Sequence, residues 1–107
     1  MTELGTGSVE IDVMNDSVHA VLTGEFDMAN VSELERLLHE ALERRSELVL
    51  DLDGVTFMDS QTLHLLVRLH HEMGARRGTL RLRPNKNVRQ LLELSGLSGL
   101  FELGDGD

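Results

Sequence analysis

The spacing of apolar residues changes abruptly between residues 52 and 63, and this change most constrains the fold. Leu48, Val49, Leu50 and Leu52 form an apolar run too short for a helix and bounded by Asp53 and Gly54. Such a run reads as a central strand covered on both faces. Further on, Leu63, Leu66, Leu69 and Met73 recur every three or four residues, as on one face of a helix over about 60–73. Between the two lie Asp59 and Ser60, both favoured N-cap residues, and either can start that helix. A hydroxyl at this position sits beside unpaired backbone N–H groups and the positive end of a helix dipole. A phosphate added to it is therefore expected to find donors waiting. The segment reads as a strand, a short loop and a switchable serine.

The rest of the chain supplies the frame. Val9, Ile11 and Val13 alternate with acids, and Val18, Ala20 and Leu22 alternate after the Asn15-Asp16 turn signal. These two stretches predict an antiparallel hairpin ended by Gly24. Asp27 to Asn30 is a loop rich in cap-forming residues. Val31, Leu34, Leu38, Ala41 and Leu42 then mark an amphipathic helix to about Arg45, with Glu33, Glu35, Glu40 and Glu43 as its solvated face. Arg44 and Arg45 suit its C-terminal end. Gly74 is the expected stop of the second helix. A strand follows at 79–83, broken by Pro84-Asn85. Val88, Leu91, Leu92 and Ser95 outline a third helix closed by Gly96. Residues 97–103 read as a short strand or turn, and Gly104 to Asp107 as a fraying tail. The two successive strand–helix–strand units imply parallel neighbours with right-handed crossovers. The expectation is α/β: one domain over residues 1–107, ordered from about 8 to 103. Its mixed sheet has four or five strands, an N-terminal hairpin and helices packed against it.

Composition narrows the function. A 107-residue chain buries roughly 65% of its unfolded surface, enough for one core. That core is aliphatic: there are three Phe and no Trp or Tyr, so a base-stacking platform is hard to build. The formal net charge of −9 repels nucleic acid and anionic membranes. The absence of cysteine removes disulfides and thiolate metal sites. The N-terminus has neither a positive region nor an apolar run, and no stretch approaches the ~18 apolar residues of a membrane span. The expected address is cytoplasmic. His64 and His71 stand about 10 Å apart along a helix, too far to share a metal unaided, so surface or partly buried roles are expected for them and for His70. No cofactor or metal is expected.

Three segments carry a family resemblance. Residues 22–27, ending in Gly24, Glu25, Phe26 and Asp27, resemble the strand-ending G-E-hydrophobic-D of the STAS domains of bacterial anti-sigma factor antagonists. Residues 49–60 resemble that family's strand and D-S phosphorylation loop. Residues 88–97 with Phe101 resemble its closing helix. The resemblance spans about Val9 to Phe101. It implies a non-enzymatic binding module that, unphosphorylated, binds an anti-sigma factor that is also a serine kinase. Binding frees a sigma factor, phosphorylation of the D-S serine ends the complex, and a phosphatase resets it. The matching serine is Ser60, with Asp59 before it and Asp27 as the nearby loop carboxylate. Asp27, Met28, Met58, Asp59, Gln61 and Thr62 are expected at the rim of the partner surface, and self-association, if any, as a weak homodimer. Gln61 and Thr62 replace the small residue and glycine that usually follow the D-S pair.

Two other readings remain. A STAS domain can also serve as an unphosphorylated scaffold subunit in a lipid-transport complex or sensor array. Separately, Asp51, Asp53 and Gly54 resemble the D-x-D-G nucleophile motif of haloacid dehalogenase-type phosphatases, in which Asp51 would attack phosphate. That chemistry needs a downstream lysine and paired acids. Lys86 is the only lysine, and no paired carboxylates follow in a strand-end setting.

Overall fold

The aliphatic alternation and helical stripes assemble into one six-stranded sheet backed by three helices. This computed structural model describes residues 1–104. In chain order the elements are β1 (Thr2–Leu4), β2 (Gly7–Met14), β3 (Ser17–Phe26), α1 (Val31–Leu42), β4 (Glu47–Met58), α2 (Ser60–Ala75), β5 (Thr79–Pro84), α3 (Lys86–Leu94) and β6 (Glu102–Leu103). The strands lie side by side in sequence order. β1, β2 and β3 pair antiparallel, and β3 through β6 pair parallel. No helix among the described residues is long and apolar enough to cross a membrane.

Sequential strand order decides where the helices go. Each parallel step crosses over through a helix, and a constant right-handed sense puts all three on the same face. Burial agrees. Val18, Ala20 and Leu22 of β3, Leu48, Leu50 and Leu52 of β4, and Leu80 and Leu82 of β5 are buried. They meet Leu34, Leu38 and Leu42 of α1 and Leu65, Leu66, Leu69 and Met73 of α2 in one core. The opposite face is open. Val49, expected to be covered, is only half-buried there, because no element follows β6 within the described residues to back that side.

Several boundaries differ from expectation for local reasons. The sheet has six strands because β1, three residues long, is too short to show a period; it folds back on β2 through Gly5 at φ 67°. β4 does not stop at Leu52. It runs through Asp53 and Gly54 to Met58, with register shifts against β3 that mark bulges. α1 ends at Leu42, where Glu43 takes a positive φ of 42°, and Arg45 reaches back to donate to the Ala41 carbonyl. Gly74 lies inside α2. The stop comes three residues later: Arg77 adopts φ 58° and the Gly78 N–H closes on the Met73 carbonyl at 2.7 Å, a Schellman-type end. A Cβ on Gly78 would lie 2.2 Å from the Ser46 carbonyl oxygen, which explains a glycine there. Gly104 is not frayed, since its N–H donates to the Leu82 carbonyl at 2.7 Å. The remainder of the expected tail lies outside the described residues.

Asn85 joins two elements that the site depends on. Its Oδ1 accepts the Val88 N–H at 2.8 Å and caps α3. Its Nδ2 donates to the carbonyls of Asp53 and Val55, at 2.9 and 2.8 Å, on the part of β4 that β5 does not reach. Asn85→Ala removes a cap and leaves these carbonyls short of a donor. It is expected to lower unfolding stability by about 2 kcal/mol, measured by urea denaturation. A loss below about 0.5 kcal/mol would contradict this bridging role.

Candidate functional site

Two loops meet where β3 and β4 end side by side, with Phe26 opposite Met58. The loop after β3 carries Asp27, Met28, Ala29 and Asn30. The connection after β4 is the single residue Asp59, and Ser60 is already the first residue of α2.

Asp59 holds the two loops together. Its backbone is extended, at φ −93° and ψ −177°, and its N–H donates to the Phe26 carbonyl at 3.2 Å. One carboxylate oxygen, Oδ1, accepts the Thr62 N–H at 2.9 Å and the Thr62 hydroxyl at 3.0 Å. The other, Oδ2, accepts the Met28 N–H at 3.0 Å. The same carboxylate thus caps α2 and anchors the neighbouring loop. Partial desolvation pushes its pKa up, but hydrogen bonds from the Thr62 backbone and hydroxyl and from the Met28 and Gln61 backbones outweigh this, and the net shift is downward.

Asn30 shapes the other loop from within. It is nearly buried, at 6% exposure. Its Nδ2 donates to the Leu4 carbonyl at 2.8 Å and the Glu25 carbonyl at 3.0 Å, while its Oδ1 accepts the Asp27 N–H at 3.0 Å. Asp27 in turn accepts the Ala29 N–H at 2.9 Å. The residue expected only as a helix cap therefore ties β1, β3 and the loop into one unit. The only sequence signal for it is a polar residue three positions after Asp27.

The expected rim residues separate into surface and support. Ser60, Gln61 and Met28 are exposed, Met28 at 78%, and Asp27 and Asp59 are half-buried. Met58 and Thr62 are not on the rim. Met58 is 6% exposed and packs in the core; Thr62 is fully buried beneath Asp59. Thr62 therefore puts no bulk over Ser60. The outward residue at the end of β4 is Phe57, 51% exposed. It lines an apolar groove of about 230 Å³ with Val55, Met58, Val88 and Leu91.

Ser60 takes no part in the capping bonds, so its hydroxyl projects from the helix start toward solvent. The expectation of waiting donors needs correction, because the Asp59 carboxylate already occupies the Thr62 N–H. No side-chain cation pairs with Asp27 or Asp59 among the described residues. A phosphate on Ser60 would stand beside carboxylates and point outward. Asp51 is placed differently: it lies in mid-strand on the open face, seven residues before the end of β4, and accepts the Asp53 N–H. A phosphatase nucleophile at a strand end has no counterpart there. His70 packs edge-on against Phe101 and His71, and His64 and His71 are exposed.

Comparison with known proteins places this geometry. The model of the family described as the STAS domain matches residues 9–105. The fold is similar to that of an anti-sigma factor antagonist from Mycobacterium paratuberculosis, at 23% identity and TM-score 0.78, covering 96% of this chain and 89% of the other. It is similar to the anti-sigma factor antagonist SpoIIAA in its unphosphorylated form, at 23% identity and TM-score 0.77, with coverage of 91% and 88%. It is also similar to the Bacillus cell fate determinant SpoIIAA in its phosphorylated form, at 22% identity and TM-score 0.72, with coverage of 91% of each chain.

The Asp59 clamp has a pH signature. A folded-state pKa below the usual 3.8 means that its stabilisation is complete above that value and is lost as pH falls through the folded value. Asp59→Ala is expected to cost about 1–2 kcal/mol at pH 7 and to speed hydrogen exchange at the Met28 amide. The stability gap to wild type should narrow as pH falls below 3.8 and close once pH has passed the lowered folded value. A gap that does not narrow as the protein is acidified from pH 7 to well below 3.8 contradicts the clamp.

Proposed function

The chain belongs to the STAS domain family, and from that premise we propose that it acts as an anti-sigma factor antagonist switched by phosphorylation of Ser60. The observation that carries this reading is the exposed Ser60 hydroxyl at the start of α2, on a surface shared with Met28 and Gln61. The fold is similar to SpoIIAA in both its phosphorylated and unphosphorylated forms, which supports a switch of this kind. The partner is a kinase-type anti-sigma factor whose ATP supplies the phosphate, and a phosphatase restores the serine. The setting is the cytoplasm. The chain itself binds and does not catalyse.

The physics of release follows from the site. Asp27, Met28, Asp59 and Gln61 form the rim with Phe57, while Met58 and Thr62 support it from below. Apolar side chains such as Met28 and Phe57 contribute most when a partner excludes water from them. A phosphate adds about −1.5 to −2 charge at pH 7. The capping carboxylate holds the nearby Thr62 N–H, so the helix end offers the phosphate little compensation. Burying an uncompensated dianion beside Asp59 is costly, and each ~1.4 kcal/mol lost weakens binding tenfold.

The test is direct. Incubated with its cognate kinase and ATP, the wild-type chain is expected to take up about one phosphate per molecule and Ser60→Ala close to none, read by intact mass. Equal uptake by the two proteins ends the proposal. Stable partner binding without any phosphate uptake would favour the scaffold reading instead.

A further inference from the structure

Parallel sheets are ordinarily covered on both faces. Here the parallel strands β3 to β6 carry helices on one face only, and strand registers give the composition of the other. One row across the strands runs Asp12, His19, Val49, Arg81; the next runs Glu10, Val21, Asp51, Arg83. Glu10, Asp12, Val21 and Arg81 are exposed, and the other four are half-buried. The outer strands of this face differ in charge. β2 contributes two acids at one flank and β5 two arginines toward the other, with Val21, His19, Val49 and the carboxylate of Asp51 between them.

We propose that this open face is a self-association surface, on which a second copy of the chain packs sheet to sheet. The charge pattern selects one arrangement. A two-fold axis parallel to the strands lays β2 of one copy over β5 of the other. Asp12 then faces Arg81 and Glu10 faces Arg83, twice per dimer, as an isologous interface requires. An axis perpendicular to the strands would lay β2 over β2, acid against acid. The twist of each sheet sets the two at an angle of about 30°. Arg81 also holds Glu102 of β6 at 2.6 Å, whereas Arg83 has no salt bridge among the described residues and stands opposite a carboxylate of the partner copy. The patch is small. Four strands at roughly 4.8 Å spacing and two charged rows make an interface below the usual ~1,600 Å², so the dimer is weak and forms at high concentration. Ser60 lies beyond the end of β4 and is not part of this face.

Sedimentation equilibrium of the full chain from roughly 10 μM to 1 mM tests the proposal. The mean mass is expected to rise with concentration from the 11.9 kDa monomer toward the dimer. Glu10→Arg and Arg83→Glu should each weaken association about tenfold, and the double exchange should restore it to within about threefold. Circular dichroism checks each variant, and Asp12→Arg replaces any that fails to fold. A monomer throughout overturns the proposal, as does a dimer indifferent to these charges. If the chain stays monomeric and the His19, Val21 and Val49 amide signals move only when another protein is added, the face belongs to that protein, and the proposal falls.

Discussion

The carboxylate of Asp59 is the interaction on which the functional end of this domain depends. Its two oxygens serve two different elements, the first turn of α2 and the backbone of Met28. A helix start and a loop 31 residues earlier in the chain are thereby fixed relative to each other. Ser60 gains its position from this arrangement rather than from any bond of its own. Since the preceding residue does the capping, the serine hydroxyl remains outside the cap and faces solvent.

The sheet explains why the site lies where it does. β3 and β4 run parallel and end together, so the loops that follow them meet at the carboxyl ends of adjacent strands, the usual location of function in open α/β sheets. Asn30 holds one loop from below and Asp59 holds the other from above. Sequential strand order places every helix on one face, concentrating the aliphatic core there and leaving a charged, patterned surface on the other. Partner switching and self-association would then use different surfaces of the same molecule.

Much of this was legible in the sequence where a period was long enough to read. The three helices, the hairpin, the parallel order and the Asp59-Ser60 junction all follow from spacing and cap chemistry. Failures came where a tertiary effect was invisible locally. Asp53 and Gly54 look like a strand end, but β3 carries β4 onward through the bulge. The irregularity also breaks strict alternation, so that Val55 and Met58 turn inward and Phe57 outward. Thr62 was readable in principle: it stands three and four residues before Leu65 and Leu66, on the buried stripe of α2. Asn30 was not, because its partners are backbone atoms of β1, β3 and its own loop. Val49 looks like the rest of its apolar run, and only the topology shows that its side of the sheet is open.

In the proposed switch, one added phosphate at Ser60 ends partner binding by placing a dianion beside the Asp59 carboxylate on a docking surface. Isothermal titration calorimetry of the anti-sigma partner against the chain carrying phosphoserine at residue 60, compared with the unmodified chain, tests it most directly. Affinity at least 100-fold weaker is expected for the phosphorylated chain, a loss of about 2.7 kcal/mol. Dissociation constants that agree within twofold would contradict it.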